Sequence, residues 1–394
     1  MAILLSDAGL HRHLLPLTYT RPVGQLRPGI LTLAEAWAKL SGLPVGFLTE
    51  PYLAGKFPAV EADRVFEVHG GLLPNPAIVA AVLDLEPGQV LVKVGKPLAF
   101  SLEGKARAAD IDWVEPPDFL QRVELVPEAH VVERPWHLFR LCGKALLYDL
   151  GLLTEGRTGQ PLSRTNTVLG DPKLIFLEEG AKVEASVLNT THGPIWIGRD
   201  AEVMEGCLVR GPFALGEGAQ LKMGAKIYGA CSFGPQCRVG GEVNNCVIMG
   251  YSNKGHDGFL GNSVLGEWCN LGADTNTSNL KNTYGEVKAW SHADQAMVPT
   301  GQQFLGLVMG DHGKCGINTM FNTGTVAGVA ANIFGSGFPP KHIPSFSWGS
   351  TGTHTLEKAL ETAQRMMERR HVHLTAEDRT ILQHVFNLTE GYRN

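Results

Sequence analysis

Between Gly250 and Leu280 the chain reads GYSNKGHDGFLGNSVLGEWCNLGADTNTSNL, which sets Lys254, His256 and Asp257 among glycines and asparagines. Groups of these types could carry out acyl transfer. A neutral imidazole takes the proton from an amine as that amine attacks a thioester carbonyl. Asp or Asn side chains or backbone carbonyls near His256 would fix its tautomer. Glycines at 255, 258 and 261 would let a substrate reach main-chain N–H groups able to hold the developing oxyanion. Burying Lys254, His256 or Asp257 without a partner is costly. All three are therefore expected to face outward or to line a groove between subunits.

The element that must hold them shows itself as a period of six. Ile197, Val203, Val209, Leu215, Leu221, Ile227, Phe233 and Val239 are all apolar. The residues four past each of them, Ala201, Cys207, Phe213, Ala219, Ala225, Cys231, Cys237 and Val243, are mostly small. Neither the 3.6 period of a helix nor the period of two of a simple strand gives this spacing, but a hexapeptide repeat does. Each hexad supplies one short flat strand and one corner of a three-sided prism. Three hexads close a coil, and successive coils pair their backbones about 4.8 Å apart.

The beat extends back through Leu177, Val183 and Asn189. After an eight-residue step it runs on through Val247, Asn253, Phe259, Leu265, Leu271 and Thr277. A loop over about 281–303 should leave the prism. The pattern then resumes at Leu305, Asp311, Ile317, Thr323 and Val329, with Met309, Cys315, Phe321, Ala327 and Ile333 as partners. Cys207, Cys231, Cys237 and Cys269 fall on inward small positions and read as structural thiols.

Upstream the beat is absent. Residues 2–5, 45–48, 65–68 and 90–94 read as strands, and 31–40 and 76–85 as helices, with Thr32 and Glu35 spaced as a capping box. This alternation predicts a three-layer α/β domain with a mostly parallel sheet, its ligands beyond the carboxyl ends of the strands. Residues 136–150 read as its last helix. After Trp348, Leu356, Leu360, Ala363 and Met367 form one helical stripe. Thr375 and Asp378 cap a second helix bearing Ile381, Leu382, Val385 and Phe386. The division is an α/β domain over 1–165, a prism over 173–345 and a helical tail over 350–394.

The 394 residues carry a formal charge of -5, which argues against nucleic acid as the main partner. No apolar run approaches membrane-span length. The opening MAILLSDAG reads as a first strand and not as a signal peptide. Seven cysteines without CxxC spacing fit the cytoplasm.

The segment Ser252, Lys254, His256, Phe259, Gly261-Asn262, followed by Asn270-Leu-Gly-Ala-Asp-Thr275 and Asn279-Leu280, resembles the acetyltransfer stretch of the bifunctional N-acetylglucosamine-1-phosphate uridyltransferase/glucosamine-1-phosphate acetyltransferase family. That resemblance implies a left-handed parallel β-helix, acetyl-CoA as acyl donor, and a homotrimer with its clefts between neighbouring prisms. It makes His256 the general base and places Asn270 and Asn279 on the amino sugar or acyl donor, with Lys254 on phosphate. Phe259 stands where the family has a substrate-holding tyrosine, Asn262 replaces an aspartate and Leu280 another tyrosine, so the sugar or acyl group is open to change. Segment 310–349 is similar to the family's terminal coils, which makes His312, Lys314 and Lys341 candidates for the phosphates of coenzyme A.

At the other end, Ala8-Gly9, Arg12, Pro16-Leu17-Thr18 and Arg21-Pro22 look like the first loop of sugar nucleotidyltransferases. Most of the phosphate-wrapping glycines are missing, and Gly70 or Gly71 stands where the family has its metal-binding aspartate. Asp84, Asp110 and Asp112 are the substitutes at hand. Arg12, Arg21 and Arg27 are candidates to hold a nucleotide sugar or sugar phosphate. Magnesium would be needed only for nucleotidyl transfer. Three functions follow as expectations: acyl transfer from a coenzyme A thioester to an amino-sugar phosphate or nucleotide sugar; sugar-1-phosphate nucleotidyl transfer with UTP or dTTP, alone or in addition; and a non-catalytic nucleotide-sugar scaffold.

Overall fold

The structure is a computed structural model that describes residues 1–103, 112–114 and 120–393. The N-terminal part is a six-stranded sheet in the order β2-β1-β3-β5-β4-β6. Its strands are β1 (Ala2–Ser6), β2 (Val45–Leu48), β3 (Arg64–His69), β4 (Gln89–Lys93), β5 (Lys96–Glu103) and β6 (Gln121–Glu124). Helices α1 (Leu33–Ser41) and α2 (Pro76–Leu83) connect them, and the Thr32–Glu35 capping box forms as its spacing predicts. The sheet is mixed, however. β5 runs antiparallel to both β3 and β4, because Val94 and Gly95, at φ 51° and 75°, turn the chain back in two residues.

From Thr167 onward the chain winds into a parallel β-helix of about ten turns, left-handed as its resemblance implies. Its three walls contain nine, ten and six strands. They are called here wall one (from Ile175–Leu177 to His342–Ile343), wall two (from Lys182–Val183 onward) and wall three (from Thr167–Leu169 to Phe259–Gly261). Aliphatic side chains fill the interior in stacked rows, such as Leu177, Ile197, Leu215, Phe233, Ile248, Leu265 and Met309 beneath wall one. All seven cysteines are free and buried, and burial pushes the Cys231, Cys237 and Cys269 thiols up to about 12.

Register departs from the expected beat in three places. Val203, Leu221 and Val239 pair at intervals of eighteen residues, but Val239 pairs with Lys254, only fifteen further on. The interior positions there are Ile248, Lys254 and Leu260, not Val247, Asn253 and Phe259. Leu188 likewise takes the place expected of Asn189. Lys254, expected outside, is thus buried at an interior position, and it survives there because its ammonium finds carbonyl partners. In the upper coils the interior row is Met309, Cys315, Phe321, Ala327 and Ile333, while Ile317 is exposed. The excursion between them is not an open loop but an antiparallel hairpin, Val287–Ser291 with Ala296–Gln302.

The outer surface of wall one is apolar as well: Trp196, Ala214, Val247, Met249, Val264, Val308 and Val326 are all buried. Leu14, Leu17, Val23 and Leu26 from the connection after β1 cover it, together with Trp136 and the face of α3 (His137–Thr154) bearing Leu138, Phe139, Cys142, Ala145 and Leu146. Each such buried aliphatic or aromatic side chain contributes about 1.5–3 kcal/mol. The tail helices α4 (Leu356–Glu368) and α5 (Ala376–Leu388) close the top. Their Leu356, Ala359, Ala363, Ile381, Leu382 and Val385 pack with Tyr19 and Leu53 of the N-terminal part and with Val329, Ala330 and Phe346 of the prism. The Thr375–Asp378 capping box starts α5.

Candidate active site

Where the coil shortens, the corner between walls two and three becomes a turn of four residues, 255–258, that carries His256 and Asp257 into solvent. Two things fix that turn. Gly258 sits at φ +110° with the Thr275 carbonyl against the place of a β-carbon, so only glycine fits. From inside the prism, the Lys254 ammonium donates to the carbonyls of His256 (2.6 Å) and Asp257 (3.2 Å). Burial lowers the Lys254 pKa to about 8, an effect opposed by Asp257 and Asp274. Gly255 has nothing within 4 Å of its absent β-carbon, which leaves room beside His256.

His256 lines a groove of about 680 Å³ between wall two and α4. Asn253, Asn270, Lys222, Arg238 and Lys314 come from wall two; Arg365, Met366, Arg369 and Arg370 come from the end of α4. Asn253 Nδ2 donates to Asn270 Oδ1 at 3.3 Å, and Arg370 donates to Asn253 Oδ1 at 3.0 Å. Among the described residues no hydrogen-bond partner holds the His256 imidazole, so neither Asp nor Asn selects its tautomer. Lys314 donates to the His312 carbonyl at 2.8 Å, and burial lowers its pKa to about 8.

The other expected site residues lie elsewhere. Phe259 and Asn279 sit by wall three, where the Phe259 N–H donates to Asn276 Oδ1 (2.9 Å) and Asn279 Nδ2 donates to Asn262 Oδ1 (2.8 Å). His312 is buried at the corner between walls one and two, in a stack with Trp268 (ring centroids 6.3 Å apart), which stacks in turn on Tyr251 (4.2 Å). Burial lowers the His312 pKa to about 3. Lys341 donates to Thr323 Oγ1 at 3.3 Å, outside the groove. Thus His256, Asn270 and Lys314 meet in one groove, Lys254 supports it from behind, and Phe259, Asn279, His312 and Lys341 do not line it.

In the N-terminal part the three arginines are separated in use. Arg21 is buried against Asp311 and, at 3.2 Å, Glu267 of the prism, while Thr20 donates to the same Asp311 at 2.8 Å. Arg27 bonds the Ile30 carbonyl and pairs with Glu35 at 3.3 Å. Arg12 is exposed. Asp7, just past β1, accepts from the Val23 N–H (2.8 Å) and the Thr49 hydroxyl (2.6 Å), and burial pushes its pKa up to about 6. Asp84 and Asp112 are exposed, and Asp110 lies outside the described residues. No three His, Cys, Asp or Glu side chains gather around one point among the described residues.

Sequence reasoning did not single out Lys222, Arg238, Arg365, Arg369 or Arg370. The run RMMERR at 365–370 was a signal within reach. Nothing in one dimension, however, shows that the end of this helix faces the coil that carries His256.

Residues 2–158 match the sugar nucleotidyl transferase family. A bifunctional protein GlmU of Geotalea uraniireducens is 26% identical over 227 residues, covering 51% of this chain and 47% of the relative. A bifunctional sugar-1-phosphate nucleotidylyltransferase/acetyltransferase of Sulfurisphaera tokodaii is 34% identical over 93 residues, covering 24% of this chain and 23% of its own. The chain therefore spans about half the length of the first relative and about a quarter of the second. Among solved structures, an Arabidopsis UDP-N-acetylglucosamine acyltransferase overlaps 54% of this chain and 80% of its own at 12% identity, with a TM-score of 0.28. With a sugar nucleotidyl transferase match over residues 2–158 and a parallel β-helix after it, the chain is similar, at modest identity and over part of its length, to bifunctional GlmU proteins.

Proposed function

We propose that the chain transfers an acyl group from a coenzyme A thioester, acetyl-CoA in the first instance, to the amine of a phosphorylated amino sugar or nucleotide sugar in the His256 groove. The observation that carries this reading is the exposed imidazole, without a hydrogen-bond partner among the described residues, in a groove walled by cations and asparagines. The neutral imidazole takes a proton from the acceptor amine as it attacks the thioester carbonyl. The carbonyl oxygen becomes the oxyanion of a tetrahedral adduct, which collapses to an amide and expels the coenzyme A thiolate. Main-chain N–H groups of the turn around Gly255 would steady the oxyanion, and Asn270 would orient the acceptor. Lys254 acts at one remove, holding the turn through its two carbonyl bonds.

The N-terminal family match favours a second reading, sugar-1-phosphate nucleotidyl transfer. Magnesium fits that site poorly. Gly70 or Gly71 stands in place of the usual carboxylate, Asp7 is engaged on Val23 and Thr49, and Asp84 and Asp112 are exposed. No step of this proposal passes through a metal. Arg12, exposed beyond β1, is the candidate left to contact a sugar phosphate there. A homotrimer, a cytoplasmic location and the division 1–165, 173–345 and 350–394 belong to the same proposal. No helix among the described residues is long and apolar enough to cross a membrane.

Two assays test it. Incubation with acetyl-CoA and glucosamine 1-phosphate should release free thiol, and His256→Ala should abolish that release while the circular dichroism spectrum stays unchanged. N-acetylglucosamine 1-phosphate with UTP or dTTP and magnesium should release pyrophosphate only if the second reading holds. Thiol release that survives in His256→Ala would remove the imidazole from the mechanism.

A further inference from the structure

The cations of the His256 groove are held by neutral oxygens. Lys222 donates to Gln220 Oε1 at 2.8 Å, and Lys314 to the His312 carbonyl at 2.8 Å. Arg238 Nη1 reaches the carbonyls of Gly218 (2.7 Å), Cys237 (3.1 Å) and Gln236 (3.3 Å). Arg370 reaches Asn253. Only Arg365 shares a carboxylate, through an exposed pair one helical turn apart with Glu361 at 2.5 Å. Glu202 acts on Lys222 and Arg238 at a distance, but its Oε2 accepts from Gln220. Among the described residues, therefore, Lys222, Arg238, Lys314, Arg369 and Arg370 make no ion pair.

Their positive charges also repel one another. Burial and then the neighbouring arginines lower the pKa values of Arg238 and Arg370, and burial, Arg238 and Arg370 lower that of Lys222. The helix dipole would favour cations in the last turn of α4. It gives no reason for Lys222 and Arg238 to stand opposite them on a strand. A chain of net charge -5 has carboxylates to spare, yet among the described residues only the exposed Arg365–Glu361 pair brings one to these cations.

We infer that the end of α4 and wall two form a clamp for phosphate, with Arg365, Arg369 and Arg370 on one side and Lys222 and Arg238 on the other. It is completed within a single chain and grips the phosphate monoester or diphosphate of the ligand presented to His256. Only the last clause rests on the acyl-transfer reading; the clamp itself stands on the charges and their neutral partners. Guanidinium forks suit two oxygens of one phosphate, which the point charge of a lysine does not. The tail then recognises ligand as well as covering the top of the prism. The phosphate could belong to the amino-sugar acceptor or to the diphosphate of coenzyme A.

The intact protein is titrated calorimetrically with inorganic pyrophosphate at low and moderate salt. Binding is expected, weaker at the higher salt. Arg238→Ala and Arg369→Ala should each weaken it at least about tenfold, and Arg369→Lys should restore part of the loss. Arg199→Ala, which removes an exposed arginine paired with Glu179, should leave it unchanged. Pyrophosphate binding is read without acyl transfer, so a failed acyl-transfer assay would not be mistaken for a failed clamp. Displacement by glucosamine 1-phosphate assigns the clamp to the acceptor, and displacement by coenzyme A assigns it to the donor. No pyrophosphate binding by the parent, equal binding by the Arg238 and Arg369 variants, or displacement by neither compound overturns the inference.

Discussion

In the connection after β1, Arg21 is buried between the Asp311 and Glu267 carboxylates of the prism; in the turn at 255–258, Lys254 is buried beneath two carbonyls and His256 is left in the open. Both regions carry a basic residue in a glycine-bearing polar segment, and both resemble stretches that handle phosphate or acyl groups. The first has its charge consumed by opposite charge, and with it Thr20, Leu14 and Leu17 tie the N-terminal part to wall one. The second has its charge consumed by backbone, which shapes a turn and frees an imidazole. A buried cation is thus no guide to a site by itself. What its partners leave unengaged is the guide.

The contrast can be broken in several ways. His256→Ala should cost the largest effect, a fall in kcat for thiol release of roughly a hundredfold to ten-thousandfold, with thermal stability unchanged. A loss of Tm in place of a loss of rate would make the turn structural. Arg21→Ala should act the other way round. Stranding Asp311 and Glu267 should cost about 3–5 kcal/mol of stability in denaturant titrations, and a fall in nucleotide affinity without a fall in stability would contradict the docking role.

Lys254→Met tests the interior ammonium through pH. The folded pKa is near 8, against an ordinary value of 10.5. Between those values the unfolded chain keeps a proton that the folded chain has released, so folding strengthens as pH rises. Relative to Lys254→Met, the parent should gain on the order of 1–3 kcal/mol between pH 7 and 10.5. A constant difference across that range would mean that the ammonium is not desolvated. The smallest effect, about 1 kcal/mol, is expected of Thr375→Ala, which removes the cap of α5. Urea midpoints would register it, and no shift would show that the tail helices are held by packing alone.

Much of this architecture could be read from residue order. The eight apolar positions from Ile197 to Val239 hold one register because those coils contain eighteen residues each. It fails at Val247, Asn253 and Phe259 because the next coil is three residues short, and a shift of one position exchanges inside for outside. The eight-residue step before Val247 marked a slip but not its size, since Val247 is apolar too; it faces the N-terminal part and not the interior. His256 and Asn270 were legible from their types and the resemblance they carry. The arginines of α4 were not. Their contribution depends on where the tail lies in space, and that follows from Tyr19 and Leu53 meeting α4 and α5 across more than three hundred residues of chain.

The fifteen-residue interval between Val239 and Lys254 has a consequence beyond register. A stack of identical layers has translational symmetry along its axis, and every corner then offers a ligand the same neighbours. Dropping three residues from one layer creates a defect, and that defect supplies a place that can be told apart from all the others. The forty-four-residue interval from Leu265 to Met309 adds a second defect in the layer above. A shape complementary to one molecule can arise between the two without disturbing the periodic order below.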